Sequence, residues 1–163
     1  MKMPAEQVED LSVPEIVNTR WFPAAPETCF RAFSDPALLA RWWGPAGFSN
    51  TVPEFDFRPG GRWRIVMRGP AGAEYPNESE FLEITPGKVI AFLHLGPMHR
   101  YWLRMSYESE QAGTRLTWRM RFATAAEHAK VKDFVQGANE QNLDRLGACL
   151  SEMKPATRRN SKP

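Results

Sequence analysis

Cysteine is scarce in this chain, and long apolar runs are absent from it. The 163 residues include only two cysteines, Cys29 and Cys149. These are too few for the disulfide framework of a small secreted protein, so we expect both thiols to be reduced and buried. No run of 18 apolar residues occurs, and residues 1–12 hold no apolar signal-peptide core. The sequence therefore favours a soluble, cytoplasmic protein without a membrane partner.

Motifs of nucleotide, metal and nucleophile sites are also missing. The chain has no G-x-G-x-x-G, Walker or G-x-S-x-G pattern, which disfavours nucleotide cofactors and a hydrolase serine. His94 and His99 flank a Gly-Pro turn and can approach each other, but two histidines without a nearby cysteine do not make a zinc site. We therefore predict no cofactor and no metal. No catalytic residue can be assigned, and whether the chain is an enzyme stays open.

The formal net charge of +2 comes from the end of the chain. Residues 154–163 hold four basic and no acidic side chains, and the remainder has 17 basic against 19 acidic residues. We expect this basic tail to be disordered, and residues 1–12 to be a flexible lead-in to one domain over residues 13–153. The arginines of the predicted outer sheet face have carboxylates on neighbouring strands as partners. The body of the domain therefore offers no basic surface, and we expect no nucleic-acid partner.

Residues 125–153 predict a long helix around which the fold is organised. Thr124 and Glu127 have the spacing of a capping box, which favours a helix start at Ala125. An apolar stripe follows at steps of three and four residues, with one step of eight across Asn142. It is formed by Val131, Val135, Ala138, Leu146, Cys149 and Met153, with Phe134, Leu143 and Leu150 at its margins. Such a stripe needs a sheet to pack against.

An amide, Asn142, falls near the middle of this stripe, and Gly137 and Ala138 remove bulk one turn earlier. Two interpretations stay open. Asn142 is either a buried amide bonded to a neighbour, or it faces a polar-tipped cavity between the helix and the sheet, near Trp118 and Met120.

The middle of the chain alternates apolar and polar residues, as antiparallel strands with one buried face do. Residues 62–68 and 115–122 alternate most cleanly, and glycine turns separate the strands. The first strand, residues 15–22, is followed by two short helices that begin at Pro26 and Pro36. We predict an α+β fold in which a curved antiparallel sheet of about six or seven strands grips the C-terminal helix.

The surplus of aromatic and methionine residues points to an apolar pocket in this fold. Six tryptophans, ten phenylalanines and seven methionines are present, and several of them face the same way from adjacent strands. Plain core packing is the alternative for any one of them, but together they can line a cavity below the long helix. The candidate ligand-contacting residues are Trp43, Phe48, Trp63, Met67, Phe81, Met105, Trp118, Met120, Phe134, Ala138 and Asn142.

Trp42 and Trp43 are adjacent on a short helix, so we expect only one of the two rings to face fully inward. The other would lie at a cavity mouth beside the glycine-bounded loop 44–48. This loop is then a candidate lid, and complete burial of both rings would argue against it.

The order and motifs resemble the homologues of the activator of the ninety-kilodalton heat shock protein ATPase, within the START-like SRPBCC superfamily. The likeness rests on RWFPAAPETCFRAFSDPALLARWWGP (20–45), FDFRPGGRWRIVMRGPAGAEYPNESEFLEITPGKVIAF (55–92), GTRLTWRMRF (113–122) and NLDRLGACL (142–150), and it covers roughly residues 14–153. It implies a helix-grip fold whose cavity often holds an apolar ligand. It transfers no catalytic residue.

Two functions of different classes follow. The first is a small-molecule cavity protein for a hydrophobic ligand, acting as a carrier or as a cyclase-like or hydrolase-like enzyme. The second is a chaperone-interacting module that acts through its outer surface. The chain is expected to be a monomer or a homodimer, and the sequence identifies neither the ligand nor a chaperone partner.

Overall fold

Seven antiparallel strands form one sheet in the computed structural model, which describes residues 8–153. The strands are β1 (Ile16–Phe22), β2 (Ser49–Phe55), β3 (Arg62–Arg68), β4 (Glu74–Thr85), β5 (Val89–Gly96), β6 (Tyr101–Glu110) and β7 (Gly113–Phe122). Their order across the sheet is β1-β7-β6-β5-β4-β3-β2. Every pair except β1 with β7 therefore joins strands that follow each other in the chain. The predicted alternation places Leu116, Trp118 and Met120 of β7 in the core.

Two short helices connect β1 to β2, namely α1 (Pro26–Ser34) and α2 (Pro36–Trp42). Each begins with a proline, whose missing N–H is not needed in the first turn. The Asp35 side chain accepts a hydrogen bond from the backbone N–H of Ala37, 3.0 Å away, and so caps α2. The predicted pair of short helices is confirmed.

The long helix α3 (Ala125–Glu152) crosses the sheet as predicted, and the Thr124 hydroxyl accepts from the Glu127 N–H at 3.1 Å. Its burial is uneven along its length. The fully buried side chains all lie in its second half, and they are Asn139, Asn142, Leu143, Leu146, Cys149 and Leu150. In the first half, Val131, Val135 and Ala138 are only half-buried. The predicted helix-grip fold is present, and α3 closes tightly over the core only with its second half.

One strand start differs clearly from the sequence prediction. The pattern predicts a strand from Glu78, whereas β4 begins at Glu74 and includes Pro76. Proline lacks the N–H that a central strand position needs. Here β5 pairs with β4 only from Glu78 onward, so Pro76 has a neighbour on the β3 side alone, opposite Val66. The proline is therefore accommodated where β4 is locally an edge.

The outer face of the sheet carries predicted ion pairs between neighbouring strands, among them Arg62–Glu78 and Arg64–Glu54. It is not uniformly wet, because Leu93 and Trp102 on this face are buried. The segment before β1 lies here, with Val13 buried and Glu9 paired with Arg121. These contacts tie residues 9–13 to the outer face.

The flexibility predicted for residues 1–12 and the disorder predicted for the basic tail stay predictions. Residues 1–7 and 154–163 lie outside the described part of the chain. Within residues 8–153, no helix is long and apolar enough to cross a membrane.

Candidate functional site

An aromatic cluster occupies the space between the concave sheet face and the helices. Trp43, which follows α2, lies at its centre, with ring centroids 5.3 Å from Trp63 of β3 and 5.6 Å from Trp118 of β7. These strands are not neighbours in the sheet. Their tryptophans meet the same ring because the sheet curves around the helices.

Most of the predicted ligand-contacting residues belong to this interior. The buried ones are Trp43, Trp63, Phe81, Met105, Trp118, Met120 and Asn142, and the half-buried ones are Phe48, Met67 and Ala138. Phe134 is a correction, because its side chain is 77% exposed. At 3.6 residues per turn it lies about 120° around the helix axis from Leu146, outside the buried stripe.

The amides of α3 are bonded to protein groups. Asn142 Nδ2 donates to the Trp42 carbonyl oxygen at 2.9 Å, so the structure favours the interpretation of a buried amide bonded to a neighbour. The predicted approach to Met120 is made by Asn139 instead, whose Nδ2 lies 3.7 Å from the Met120 sulfur and donates to Asn18 Oδ1 at 3.1 Å. Asn142 therefore ties α3 to α2, whereas it was expected to face the sheet near Trp118 and Met120.

One guanidinium group makes most of the hydrogen bonds between α3 and the loop after α2, beside the bond from the Ala46 N–H to Gln141 Oε1 at 3.1 Å. Arg145 of α3 donates to the carbonyl oxygens of Arg41, Trp43, Gly44, Pro45 and Phe48 at 2.8–3.1 Å. Burial lowers the pKa of Arg145, although a guanidinium remains charged at neutral pH. No pattern in the sequence signals this role, because loop carbonyls carry no side-chain signature.

The lid hypothesis is wrong by the test stated for it. Trp42 is 1% exposed and Trp43 is 7% exposed, so both rings are buried. Trp42 still belongs to α2, whereas Trp43 has extended backbone, and the two rings meet edge to face in the same cluster with their centroids 5.4 Å apart. With its carbonyls bound by Arg145, loop 44–48 is part of the wall.

Two buried donors in the cluster lack a hydrogen-bond partner, and both are indole nitrogens, Nε1 of Trp63 and Nε1 of Trp118. Other tryptophans of the chain show the usual situation. Trp42 Nε1 donates to the Ala32 carbonyl at 2.9 Å, and Trp21 Nε1 donates to the Glu110 carbonyl at 2.7 Å. An unsatisfied buried donor costs about 1–3 kcal/mol, so a pair of them in one cluster calls for a partner.

The interior is least covered beside the first half of α3. From this half of α3, partly buried Val131 and Val135 pack against the core. Met67 of β3 and Tyr101 of β6 are partly buried against the same core, and we refer to these four side chains as the rim. A hydrogen bond of 2.6 Å between His99 Nδ1 and Glu127 Oε2 holds the start of β6 beside the first turn of α3. The sequence predicted Met67 of the rim as a ligand-contacting residue but not Tyr101. Tyr101 alternates in step with the core residues of β6, so its partial exposure could not be recognised.

Two grooves lie on the outside of the domain. One, of about 570 Å³, runs between α2 and the last turns of α3 and is lined by Phe48, Arg145 and Cys149, among others. The other, of about 400 Å³, lies on the outer sheet face beside Leu82 and Trp102. Of the predicted ligand-contacting residues, only Phe48 lines either of these two grooves.

The predicted approach of the two histidines is confirmed. His94 is buried, with Nδ1 2.8 Å from the His99 carbonyl oxygen and Nε2 2.7 Å from Asn77 Oδ1, and its ring stacks on Tyr101. Burial lowers the pKa of His94, and the nearby Arg100 adds to this effect. Within residues 8–153, no group of three or more His, Cys, Asp or Glu side chains is arranged to hold a metal ion.

Acidification should therefore destabilise the protein through His94. Because its pKa is lowered in the folded state, the unfolded chain binds more protons at this residue once the pH falls below about 6.5. The stability contribution is present above that pH and is lost below it, with a slope of at most about 1.4 kcal/mol per pH unit for one proton. Urea unfolding of the native protein and of His94→Gln between pH 7.5 and 5 measures this. A constant difference between the two across the range would contradict the prediction.

Comparison with known proteins agrees with this architecture. Residues 23–151 match the family model described as Activator of Hsp90 ATPase homolog 1-like protein. No match is found among curated proteins.

Several solved structures have the same fold. A protein of Chromobacterium violaceum is 26% identical, with a TM-score of 0.70 over 85% of this chain and 98% of that one. The AHSA1 protein of Silicibacter pomeroyi is 25% identical, with a TM-score of 0.69 over 84% and 97%. A protein of Arthrobacter aurescens, 20% identical, reaches a TM-score of 0.80 over 96% of both chains and shows the fold alone.

The order of elements, the long helix over the curved sheet and the family match over residues 23–151 lead to one conclusion: the chain belongs to the family of Activator of Hsp90 ATPase homolog 1-like proteins.

Proposed function

We propose that this protein binds a small, largely apolar molecule in its interior, between the first half of α3 and the concave face of the sheet. The observation that carries the proposal is the uneven burial of α3. From Asn139 onward its inward side chains are closed over the core, whereas Val131 and Val135 stay half-exposed although they pack against it. A ligand entering at the rim would complete the burial of this face.

The surroundings of the rim support an apolar ligand. Trp63, Trp118 and Met120 are contributed by opposite ends of the curved sheet and lie in the same core cluster. Aromatic rings offer large contact areas to an apolar ligand. The family membership adds support, since helix-grip proteins often bind ligands between helix and sheet. The proposal is one of binding, as a carrier or as an enzyme whose catalytic groups are unassigned.

A chaperone-interacting role has less support, and it rests on the family name alone. The arginines that would offer an outer charged surface are paired within the chain, for example Arg68 with Glu74 and Arg115 with Glu110. Since most of these positive charges have a negative neighbour, the outer face presents no strong field of one sign for a partner.

Filling the rim should weaken binding. Equilibrium dialysis with tetralin, a compact neutral hydrocarbon, is expected to give saturable binding to the native protein. Val135→Phe adds bulk at a half-buried rim position and should weaken the affinity at least about tenfold, or about 1.4 kcal/mol.

The control is Val17→Phe, the same substitution at a position of β1 that is exposed, and it should leave the affinity unchanged. Absence of saturable binding to the native protein would defeat the proposal. Equal weakening by both variants would show that the probe binds away from the rim.

A further inference from the structure

We infer that the molecule held in the interior is neutral and carries a hydrogen-bond acceptor oxygen, and that the indole N–H groups of Trp63 and Trp118 recognise that oxygen. The inference rests on the proposed function and adds the chemical class of the ligand. Trp63 is 2% exposed and Trp118 is 1% exposed, and neither indole nitrogen has a hydrogen-bond partner.

The first step concerns where these donors lie. Trp63 and Trp118 come from β3 and β7. The centroids of their rings lie 5.3 Å and 5.6 Å from the centroid of the Trp43 ring. The Trp63 ring also lies 5.1 Å from that of Phe92. Two donors are thus placed among apolar groups that offer no oxygen to either. Because buried polar groups are satisfied in nearly all native structures, an acceptor from outside the chain fits here.

The second step concerns the charge of the ligand. Among the residues that the structure describes, the fully buried polar side chains are Asn18, Thr28, Ser79, His94, Thr114, Asn139 and Asn142, without any Asp, Glu, Lys or Arg. The partly buried Arg145 already donates to five carbonyl oxygens. An anion would therefore find no fully buried counter-ion among the described residues, and a cation would face donors, so both are disfavoured.

The third step selects the functional group. An indole N–H only donates, so the ligand must accept, and a neutral acceptor in an otherwise apolar molecule is a carbonyl, ether or hydroxyl oxygen. A ketone, ester, lactone or phenol of about bicyclic size meets this description. A pure hydrocarbon would fill the same space but leave both donors unsatisfied.

A matched probe pair tests the inference. 1-Tetralone and tetralin have nearly the same shape, and 1-tetralone has a carbonyl group where tetralin has a methylene. The ratio of the dissociation constant of tetralin to that of 1-tetralone is measured for the native protein and for the double variant that combines Trp63→Phe and Trp118→Phe. Loss of the two donors should lower this ratio about tenfold, as expected for about 1.4 kcal/mol of hydrogen bonding.

Nuclear magnetic resonance of the native protein gives a second readout that needs no variant to fold. The indole N–H signals of Trp63 and Trp118 should move downfield with 1-tetralone and not with tetralin, while that of Trp21, bonded to the Glu110 carbonyl, should stay in place. The single variant Trp118→Phe identifies one of the two signals.

The outcomes separate the two proposals. Both probes could bind at the rim while the dissociation-constant ratio stays unchanged in the variant and the indole signals do not move. The donors would then be satisfied by ring faces or water, and the inference would be overturned while interior binding stands. If neither probe binds, the proposed function fails as well. A lowered ratio together with downfield indole shifts supports both.

Discussion

Arg145→Met is expected to lower the free energy of unfolding by about 3–5 kcal/mol. The guanidinium group of Arg145 donates to five backbone carbonyls around the end of α2 and loop 44–48. Hydrogen bonds from a charged donor contribute about 1.5–3 kcal/mol each, and they are not additive when one group makes them all. Methionine retains much of the apolar stem but none of the donors. The Trp43 carbonyl would keep its bond from Asn50 Nδ2, and the Pro45 carbonyl its bond from the Phe48 N–H. The loss therefore falls mainly on the carbonyls of Arg41, Gly44 and Phe48.

Chemical denaturation measures the loss, and hydrogen exchange locates it. Backbone amides of residues 44–48 should exchange faster in Arg145→Met, because the loop loses the Arg145 bonds to α3 and keeps the bond from the Ala46 N–H to Gln141 Oε1. Arg145→Lys should fall between the native protein and the methionine variant, since an ammonium group has three donors and lacks the planar geometry of guanidinium.

The matched control is Arg119→Met. Arg119 pairs with Glu15 at 3.3 Å on the outer sheet face, and its side chain is half-exposed. Surface pairs of this kind contribute about 0–1 kcal/mol. A loss below about 1 kcal/mol for Arg145→Met, or an equal loss in the two variants, would show that the loop is held by other contacts.

The sheet was largely predictable because each strand is patterned on its own. The bounds predicted for β3 are those observed, and in the predicted strand 115–122 the alternate residues Leu116, Trp118, Met120 and Phe122 are buried. A period of two is a local signal, so it survives without knowledge of the neighbours. Local patterning failed at Pro76, where the answer depends on how far β5 extends alongside β4.

The site was less predictable because its properties depend on contacts between distant segments. Asn142 and Asn139 are both polar positions on the buried side of α3, and the sequence does not say which amide meets α2 and which meets β1. Arg145 reads as an ordinary charged helix residue. Phe134 reads as apolar and near the stripe, but its angular offset leaves it in solvent. These outcomes are set by the packing angle of α3, which no local pattern encodes.

Phe33→Ala and Phe134→Ala remove the same side chain from two helices, with opposite expected results. Phe33 of α1 is fully buried, and its ring packs against those of Trp42, Trp43, Phe55, Phe57, Trp63, Phe81 and Phe92. Truncating a phenylalanine in such surroundings costs about 3–5 kcal/mol, from lost burial and from the cavity left behind. Phe134→Ala should change stability by no more than about 0.5 kcal/mol, because the ring contributes little in solvent and alanine favours the helix.

The same pair tests whether the aromatic cluster is rigid enough to act as the wall of a binding site. A ring of Phe33 in edge contact with Trp63, 5.3 Å between centroids, fixes the position of one of the proposed indole donors. Phe33→Leu, which keeps more of the volume, should cost clearly less than Phe33→Ala. If urea unfolding gave Phe33→Ala and Phe134→Ala the same small cost, the cluster would be loosely packed. Trp63 would then have no fixed orientation, and its N–H could not discriminate between a ketone and a hydrocarbon.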